Sequence, residues 1–289
     1  MKITIFTPTY NRAKLLPKLY ESLKQQTYKV FEWLIVDDGS TDGTRDLIDG
    51  WIKEKIINVR YYYQENGGKH RAINKGVPLA KGEWFFIVDS DDTLPDNSLE
   101  LANKWIESIK EDDSFAGVCG LREIEGRIPS VDFTTIDTSP LRIKHIIRED
   151  KAEIFRTSII RDFPFPDFSG EKFCAESLIF NRIGHKFIMR YFNKVIYKCK
   201  YLEDGLTSNT IKNRRSSPTY ASLLYKEQQE SAPLMLDRIR ASICFWRFAW
   251  YTRNLKILFN VPFWSFTFVP IGLLFWIGDT LRLFFENRR

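Results

Sequence analysis

The chain has 289 residues, 44% of them hydrophobic and 15% aromatic, so it is long enough to bury a large core. Its net charge of +6 comes from the C-terminal part, because residues 212–289 hold 12 Lys and Arg against 5 Asp and Glu, whereas residues 1–211 hold 31 against 32. Four cysteines without a Cys-x-x-Cys pair and three scattered histidines argue against structural zinc and a disulfide scaffold, and they fit a reducing cytoplasm.

The first part of the chain predicts strands that alternate with helices. No signal peptide is expected, because residues 2–6 already form a β-rich run. Proline and hydroxyl residues at 7–12 predict a turn, and a helix is predicted at about 13–26. A second apolar run at 33–36 stops at polar residues 37–44, before a helix that reaches about residue 55. This alternation predicts a parallel, doubly wound α/β sheet.

The most informative segment is 84–94, where an apolar run stops at the carboxylates Asp89, Asp91 and Asp92. Carboxylates this close repel one another, and a hard cation such as Mg²⁺ or Mn²⁺ between them and a phosphate removes that repulsion. Taken alone, the pattern also fits a solvated acidic turn. In doubly wound sheets, however, ligands bind beyond the carboxyl ends of the strands, where all three polar clusters are predicted to lie.

The usual phosphate-binding loops are missing from the sequence. No Gly-x-Gly-x-x-Gly follows the first strand, and no Gly-x-x-x-x-Gly-Lys-Ser/Thr occurs, which argues against a dinucleotide-binding fold and a P-loop. Gly67 and Gly68 open a later predicted helix instead, and its free N–H groups and Lys69 are predicted to face a diphosphate. An ordinary turn with a helix cap is the alternative.

Together these motifs resemble the family 2 glycosyltransferases, which have the GT-A fold. The resemblance covers residues 2 to about 100, and residues 163–176 and 201–207 resemble one bacterial branch of the family. The matching motifs are Thr7-Pro8-Thr9-Tyr10-Asn11-Arg12, Val36-Asp37-Asp38-Gly39-Ser40-Thr41-Asp42, Asn66-Gly67-Gly68-Lys69, Ala72-x-Asn74-x-Gly76 and Asp89-Ser90-Asp91-Asp92. The resemblance implies a nucleotide-sugar site formed by Thr7, Pro8, Tyr10, Arg12, Asp38, Gly68, Lys69, Asn74, Asp89 and Ser90.

Individual roles follow from this resemblance and from side-chain chemistry. Tyr10 is expected to stack on a pyrimidine, and Asp38 to accept a hydrogen bond from the N3–H of uracil. Asp91 is the expected ligand of Mn²⁺ or Mg²⁺, while Asp89 is expected to contact ribose or to complete the metal's second shell. Asp37 is expected to be a turn and helix-capping acid.

The catalytic base is expected at the start of a helix in the second half of the sheet. The family places an acidic residue there, and Glu176 occupies that place. Glu171 is the alternative base, because the family's Glu-Asp pair is replaced here by Ala175-Glu176. Glu176 alternatively has only a structural role, since a carboxylate at a helix N-terminus is stabilised in any case.

The tail, residues 212–289, is basic and aromatic. Phe, Trp and Tyr occur 14 times between residues 245 and 285, and the 22 residues 257–278 carry no formal charge. Basic residues interleaved with aromatic ones precede this run, which predicts anchoring at a lipid interface or as a re-entrant segment. A spanning helix and a soluble helical cap or oligomer interface are the alternatives. Nucleic acid fits the uncharged run less well.

We therefore expect a GT-A catalytic domain at 1–211, with a nucleotide-sugar half at 1–100 and an acceptor half at 101–211, followed by a membrane-associating tail. The expected activity is metal-dependent, inverting transfer from a UDP-sugar to a hydroxyl of a glycan or lipid-linked acceptor, in bacterial surface polysaccharide synthesis at the cytoplasmic face of the membrane. The alternatives are a phosphatase or phosphotransferase of the haloacid dehalogenase type and an inactive, membrane-bound nucleotide-sugar-binding protein.

Overall fold

The structure is a computed structural model that describes residues 2–200, 205, 209–252, 257, 258 and 260–286. It divides into two compact units, the first formed by residues 1–165 and 179–205 and the second by residues 166–178 and 206–289. The second unit therefore includes residues 166–178, which the sequence placed in the catalytic domain. Most of the motif expected at 201–207 lies outside the described residues.

Within the part of the chain that the structure describes, the first unit is built on one mixed sheet of eight strands. Their spatial order is β3-β2-β1-β4-β7-β5-β8-β6. The strands are β1 (Ile3–Thr9), β2 (Phe31–Asp37), β3 (Val59–Tyr63), β4 (Trp84–Ile87), β5 (Phe115–Ile124), β6 (Thr135–Thr138), β7 (Lys151–Arg156) and β8 (Ile188–Cys199).

Strands β1 to β4 form the predicted parallel half of the sheet. Strand β1 pairs in parallel with β2 and β4, and β2 pairs in parallel with β3. All seven residues of β1 and of β2 are buried, as expected for central strands covered on both faces. Strand β7 breaks the parallel pattern because it runs antiparallel to both β4 and β5, and β6 is antiparallel to β8.

Short helices connect and cover these strands. The first predicted helix begins only at Leu16, because Pro17 lies in its first turn, where a missing N–H costs nothing. The second ends as predicted, one residue before Lys55. The helices of this part are α1 (Leu16–Lys24), α2 (Thr44–Glu54), α3 (Lys69–Leu79), α4 (Ser98–Glu107), α5 (Pro140–Ile143), α6 (Thr157–Arg161) and α7 (Ser177–Gly184).

The main core lies between the sheet and the side that carries α1, α2 and α4. Trp33 of β2, Tyr20 of α1 and Trp51 of α2 stack there, with ring centroids 4.4–6.0 Å apart. Side chains of β1 and β2 alternate between the two faces, so Phe6 points to the opposite face, where it stacks on Phe85 of β4. Burial on both faces fixes the register of the strands whose ends form the site.

The second unit is helical. Its helices are α8 (Thr210–Ser216), α9 (Pro218–Ser231), α10 (Met235–Ala249), a 3₁₀ helix (Phe263–Phe268) and α11 (Val269–Glu286). Helices α9 and α10 share a buried core that includes Tyr225, Phe245 and Phe248. Among the described residues, one segment, Phe263–Arg282, is long and apolar enough to cross a membrane, and only 11% of it is buried.

Candidate active site

The polar clusters predicted from the sequence follow neighbouring parallel strands. Thr9 at the end of β1 is in register with Asp37 at the end of β2, and β4 on the other side of β1 ends two residues before Asp89. Parallel strands end at the same edge of a sheet, so the loops after β1, β2 and β4 line one edge.

The loops after β1 and β2 are locked together by hydrogen bonds. The Asn11 N–H donates to Ser40 Oγ at 2.8 Å, and the Thr41 N–H donates to Asn11 Oδ1 at 2.8 Å. Asn11 has a φ of 52°, in the left-handed region that asparagine tolerates. The adjacent Tyr10 ring is 49% exposed, which leaves it accessible to a planar ligand.

Two residues of the first motif are inside the fold. Thr7 is fully buried, and its hydroxyl oxygen accepts a hydrogen bond from the Trp33 indole at 2.9 Å. The Thr7 side chain therefore faces the core because of the strand's alternation, and donor binding by Thr7 stays a prediction. Pro8 is buried in the same strand. Arg12 follows the strand, and its positive charge acts on Asp91.

Asp37 holds the turn after β2 as predicted, but it does not cap α2. The acid that accepts the N–H of Thr44, the first residue of α2, is Asp42. The Oδ1 of Asp37 accepts the Ser40 N–H at 2.8 Å, and its Oδ2 accepts the Tyr61 hydroxyl at 2.8 Å. Asp37 is 1% exposed. These bonds hold the turn after β2 in place.

Asp38 organises the glycine loop that precedes α3. Its carboxylate accepts the N–H groups of Gly67 and Gly68 at 2.8 and 2.7 Å and the side-chain amides of Gln64 and Asn66 at 2.7 and 3.2 Å. Four bonds match the roughly four acceptor positions of a carboxylate. A bond from uracil N3–H to Asp38 thus requires that one amide, Gln64 or Asn66, moves away.

The glycine loop therefore differs from the predicted phosphate cradle. The two glycine N–H groups point at Asp38, so they are not the free donors that the sequence predicted. Gly68 has a φ of 99°, which a residue with a side chain rarely adopts, and this conformation allows both N–H groups to reach one carboxylate. Lys69, the first residue of α3, remains the basic group of this loop that reaches the acidic cluster.

Asn74 has a structural role in this structure. Its side-chain Nδ2 donates to the Phe165 carbonyl oxygen at 2.9 Å, and its Oδ1 accepts the Phe165 N–H at 2.9 Å. Both ends of the amide are thus used to hold the segment after α6. Donor binding by Asn74 stays a prediction, and it requires the amide to leave these two bonds.

Residues 89–92 are here called the acid turn. Its three carboxylates have different surroundings. Asp89 forms an ion pair with Lys69, with 2.6 Å between Oδ1 and Nζ. Burial alone raises the pKa of Asp89, but the charges of Lys69 and Arg122 outweigh it, and the pKa lies below its ordinary value. Asp92 is 6% exposed, and its Oδ2 accepts a hydrogen bond from the Tyr197 hydroxyl at 2.7 Å.

Asp91 is the carboxylate of the acid turn that remains available. It is half-buried, and no other side chain among the described residues donates a hydrogen bond to it. Burial and then repulsion from Asp89 raise its pKa, although the charges of Arg12 and Lys69 act in the opposite direction. Ser90, between these two acids, is buried. Asp91 is therefore the natural place for an added cation.

The site suits a cation that is held mainly by substrate. Among the described residues, no three His, Cys, Asp or Glu side chains converge as a ready-made cage. Mg²⁺ and Mn²⁺ at nucleotide sites commonly bind one or two carboxylates together with phosphate oxygens. Asp91, with Asp89 close by, matches that donor set.

Two residues that contact or approach the acid turn were not predicted from the sequence. Tyr197 on β8 reaches the acid turn through its hydroxyl, and Arg122 on β5 lies over the Tyr197 ring, with 4.0 Å from the guanidinium carbon to the centroid. Both residues come from strands far along the chain, and only the order β4-β7-β5-β8 brings them near. No local sequence signal marks them.

The two candidate bases both belong to the second unit. Glu176 is half-buried and immediately precedes α7, at the helix start predicted for it. Glu171 caps α9 instead: its carboxylate accepts the Thr219 N–H at 2.9 and 3.0 Å and the Tyr220 N–H at 3.1 Å. The bonds of Glu171 therefore indicate a structural task.

Comparisons with known proteins identify the family. A family model described as "Glycosyl transferase family 2" matches residues 4–190, more than half of the chain. The chain belongs to glycosyl transferase family 2. This confirms the resemblance seen in the motifs.

Curated relatives of this family member cover only part of its sequence. Glycosyltransferase GlyG of Streptococcus pneumoniae serotype 4 is 38% identical over 111 residues, which are 38% of this chain and 36% of GlyG. The poly(ribitol-phosphate) beta-N-acetylglucosaminyltransferase TarS of Staphylococcus aureus is 29% identical over 167 residues, which are 56% of this chain and 29% of TarS. The matches thus span about a third of the length of these relatives.

Solved structures of other glycosyltransferases share the fold. TarS 1-349 in complex with UDP-GlcNAc superposes with a TM-score of 0.66 at 21% identity, covering 94% of this chain and 80% of that one. Mannosyltransferase PcManGT from Pyrobaculum calidifontis, in complex with GDP-Man and Mn²⁺, gives 0.57 at 18% identity, covering 98% and 80%. The predicted GT-A fold is confirmed. The haloacid dehalogenase alternative is wrong, since that type carries its Asp-x-Asp after the first strand and here it follows β4.

Proposed function

We propose that this glycosyltransferase transfers a sugar from a UDP-sugar, with inversion, to a hydroxyl group of a glycan or lipid-linked acceptor. The observation that carries the proposal is the division of the acid turn, in which Asp91 keeps its carboxylate available while Asp89 and Asp92 are held by Lys69 and Tyr197. TarS, a structural neighbour, binds UDP-GlcNAc, which supports a UDP-sugar donor.

At the nucleotide end, exposed Tyr10 offers a flat surface on which a pyrimidine stacks. Asp38 holds the neighbouring loop, and the amides of Gln64 and Asn66 lie beside it as additional hydrogen-bonding groups for a base. Lys69 and Arg12 supply positive charge near the acid turn, where the diphosphate would lie.

The proposed cofactor is Mn²⁺ or Mg²⁺, held by Asp91 and supported by Asp89. Its chemical contribution, when bound, is to neutralise charge on the departing diphosphate. The mannosyltransferase neighbour contains Mn²⁺, which supports this choice. The Lys69 ammonium lies 2.6 Å from the Asp89 carboxylate, so a positively charged group is already held beside the acid turn.

Glu176 is the proposed base. It accepts the proton of the attacking hydroxyl, so that the oxygen reaches the anomeric carbon from the face opposite the departing UDP. Its position directly before α7 supports this role, while Glu171 is committed to the start of α9. A general base typically contributes about 10²- to 10⁴-fold in rate.

We further propose that the protein acts in bacterial surface polysaccharide synthesis, at the cytoplasmic face of the membrane. The name of TarS describes transfer to a poly(ribitol-phosphate) acceptor, which supports a polymer acceptor here. The tail supports a membrane location, because an exposed apolar stripe runs along α11. The stripe consists of Ile271, Leu274, Phe275, Ile277 and Leu281, which are 40–68% exposed.

The opposite side of α11 supports a helix that lies in the interface and does not span it. Asp279 accepts two hydrogen bonds from Arg247 of α10, at Nε and Nη2 and both 2.7 Å long, and its backbone oxygen accepts a third from Arg215. Gly272 lies so close to α10 that an added Cβ would come within 2.3 Å of Trp246 Cβ. A spanning α11 would have to break these contacts and carry an unpaired Asp279 into hydrocarbon, at a cost of several kcal/mol.

A donor panel tests the proposal. The full-length protein is incubated with UDP-, GDP- and dTDP-sugars, with Mn²⁺ or with EDTA, and release of the nucleotide is measured. The proposal predicts turnover of one UDP-sugar that EDTA abolishes. Preference for a GDP-sugar would overturn the donor assignment, and binding of a UDP-sugar without any turnover would favour the inactive binding protein.

A further inference from the structure

The hydroxyl of Tyr197 joins the two ends of the acid turn. Tyr197 is fully buried near the end of β8. Its oxygen accepts the backbone N–H of Asp89 at 2.9 Å, and its O–H donates to Asp92 Oδ2 at 2.7 Å. One phenol group thus uses both its acceptor and its donor capacity on the first and the last residue of the turn.

The backbone beside Tyr197 is also attached to the residue after the turn. The Thr93 N–H donates to the Lys198 carbonyl oxygen at 3.0 Å, and the Lys198 N–H donates back to the Thr93 oxygen at 2.9 Å. This pair of bonds fixes the distance between the turn and β8. The backbone contact does not orient the carboxylates, however. The Tyr197 hydroxyl orients the carboxylate of Asp92, and Lys69 holds that of Asp89.

The Tyr197 ring is held from two sides, so its hydroxyl has little freedom to move. The Arg122 guanidinium lies over one face, and Arg122 Nε donates to the Lys151 carbonyl oxygen at 2.7 Å. Phe86 of β4 meets the ring edge to face, with 6.1 Å between centroids. Attraction between the cation and the face of a desolvated ring favours this one ring position.

We propose that Tyr197 is a positioning residue that orients Asp91 toward the cation and diphosphate by holding Asp89 and Asp92 on either side of it. This inference rests on the proposed function. With Asp92 turned inward to Tyr197 and Asp89 held by Lys69, fixed partners offset part of the repulsion among the three neighbouring carboxylates. Asp91 is then the acid that the turn presents to a ligand. Outer partners of a metal ligand typically contribute about 10- to 100-fold in metal affinity.

The test is Tyr197→Phe, which removes only the hydroxyl, with Tyr191→Phe as the matched control. Tyr191 is also buried on β8, and no hydrogen bond joins its hydroxyl to the described residues of the acid turn. Binding of Mn²⁺ to the protein–UDP complex is titrated by electron paramagnetic resonance, and UDP binding in EDTA is measured by calorimetry. Tyr197→Phe should weaken Mn²⁺ binding about 10-fold, and UDP affinity in EDTA should change less than 2-fold. Tyr191→Phe should change neither.

A double-mutant cycle with Asp92→Asn tests whether Tyr197 acts through Asp92. The loss of Mn²⁺ affinity caused by Tyr197→Phe should be clearly smaller in the Asp92→Asn background, because the two side chains share one interaction. Equal Mn²⁺ affinity in Tyr197→Phe and wild type, with a lower melting temperature alone, would make Tyr197 a structural residue and overturn the inference. If the wild-type UDP complex does not bind Mn²⁺ at all, the proposed metal dependence is overturned instead.

Discussion

Glu171→Gln should lower the stability of the protein, whereas Glu176→Gln should lower its catalytic rate. Glu171 accepts two backbone N–H groups at the start of α9, where the helix dipole favours negative charge. Hydrogen bonds to a charged acceptor contribute about 1.5–3 kcal/mol, and neutral ones about 1 kcal/mol. Gln keeps one acceptor oxygen, so Glu171→Gln should lower the free energy of unfolding of the second unit by about 1–2 kcal/mol.

In a unit of this size, each kcal/mol of lost stability lowers the melting temperature by about 4–8 °C. The kcat of the remaining folded protein should stay within about 2-fold of wild type, because Glu171 is not the base in this account. Glu176→Gln should instead reduce transfer at least ~10²-fold and leave UDP affinity unchanged.

Calorimetric melting measures the effect on stability, and single-turnover transfer measures the effect on catalysis. Glu230→Gln, exposed at the other end of α9, is the control and should cost under about 0.5 kcal/mol. If Glu171→Gln is inactive and Glu176→Gln is active, Glu171 is the base and the assignment of Glu176 is wrong.

Two further predictions concern the acid turn and the tail. Burial and then repulsion from Asp89 raise the pKa of Asp92 to about 7, so the folded state binds a proton that the unfolded state releases between about pH 4 and 7, and this contribution to stability is lost as pH rises. Asp92→Asn should therefore have a free energy of unfolding about 2–4 kcal/mol higher than wild type at pH 8, and the difference should vanish near pH 4. A difference that does not depend on pH would contradict this. In the tail, Leu274→Asp should abolish most binding to anionic vesicles in a flotation assay while Thr267→Asp changes it little, since only Leu274 lies on the apolar stripe of α11; unchanged binding of both would remove the lipid interface from the account.

The sequence was sufficient to predict the parallel half of the sheet and the edge where the site lies. Apolar runs that stop at polar clusters gave β1, β2 and β4 and the placement of Tyr10 and Asp89 after them. Family resemblance supplied the donor-site residues but not their present contacts. Thr7, whose hydroxyl bonds to Trp33, and Asn74, whose amide bonds to Phe165, have roles that depend on long-range packing that no local pattern records.

The second half of the site could not be predicted for a related reason. Strand β7 runs antiparallel between β4 and β5, and this placement brings Arg122 and Tyr197 to the acid turn. Register and strand order are set by the whole core, so a tyrosine more than 100 residues from Asp92 carries no sequence signal of its role. The function of Glu171 was equally hidden, because its partner helix begins 47 residues later at Pro218.

The most direct test of the account compares wild type with Asp91→Asn for UDP-sugar turnover across a titration of Mn²⁺. Asp96→Asn, an exposed acid just beyond the turn, is the matched control. If Asp91 holds the cation, Asp91→Asn loses at least ~10²-fold in turnover at every Mn²⁺ concentration, while Asp96→Asn follows wild type. Full turnover by Asp91→Asn, or wild-type turnover that persists in EDTA, would contradict a cation-assisted transfer at this turn.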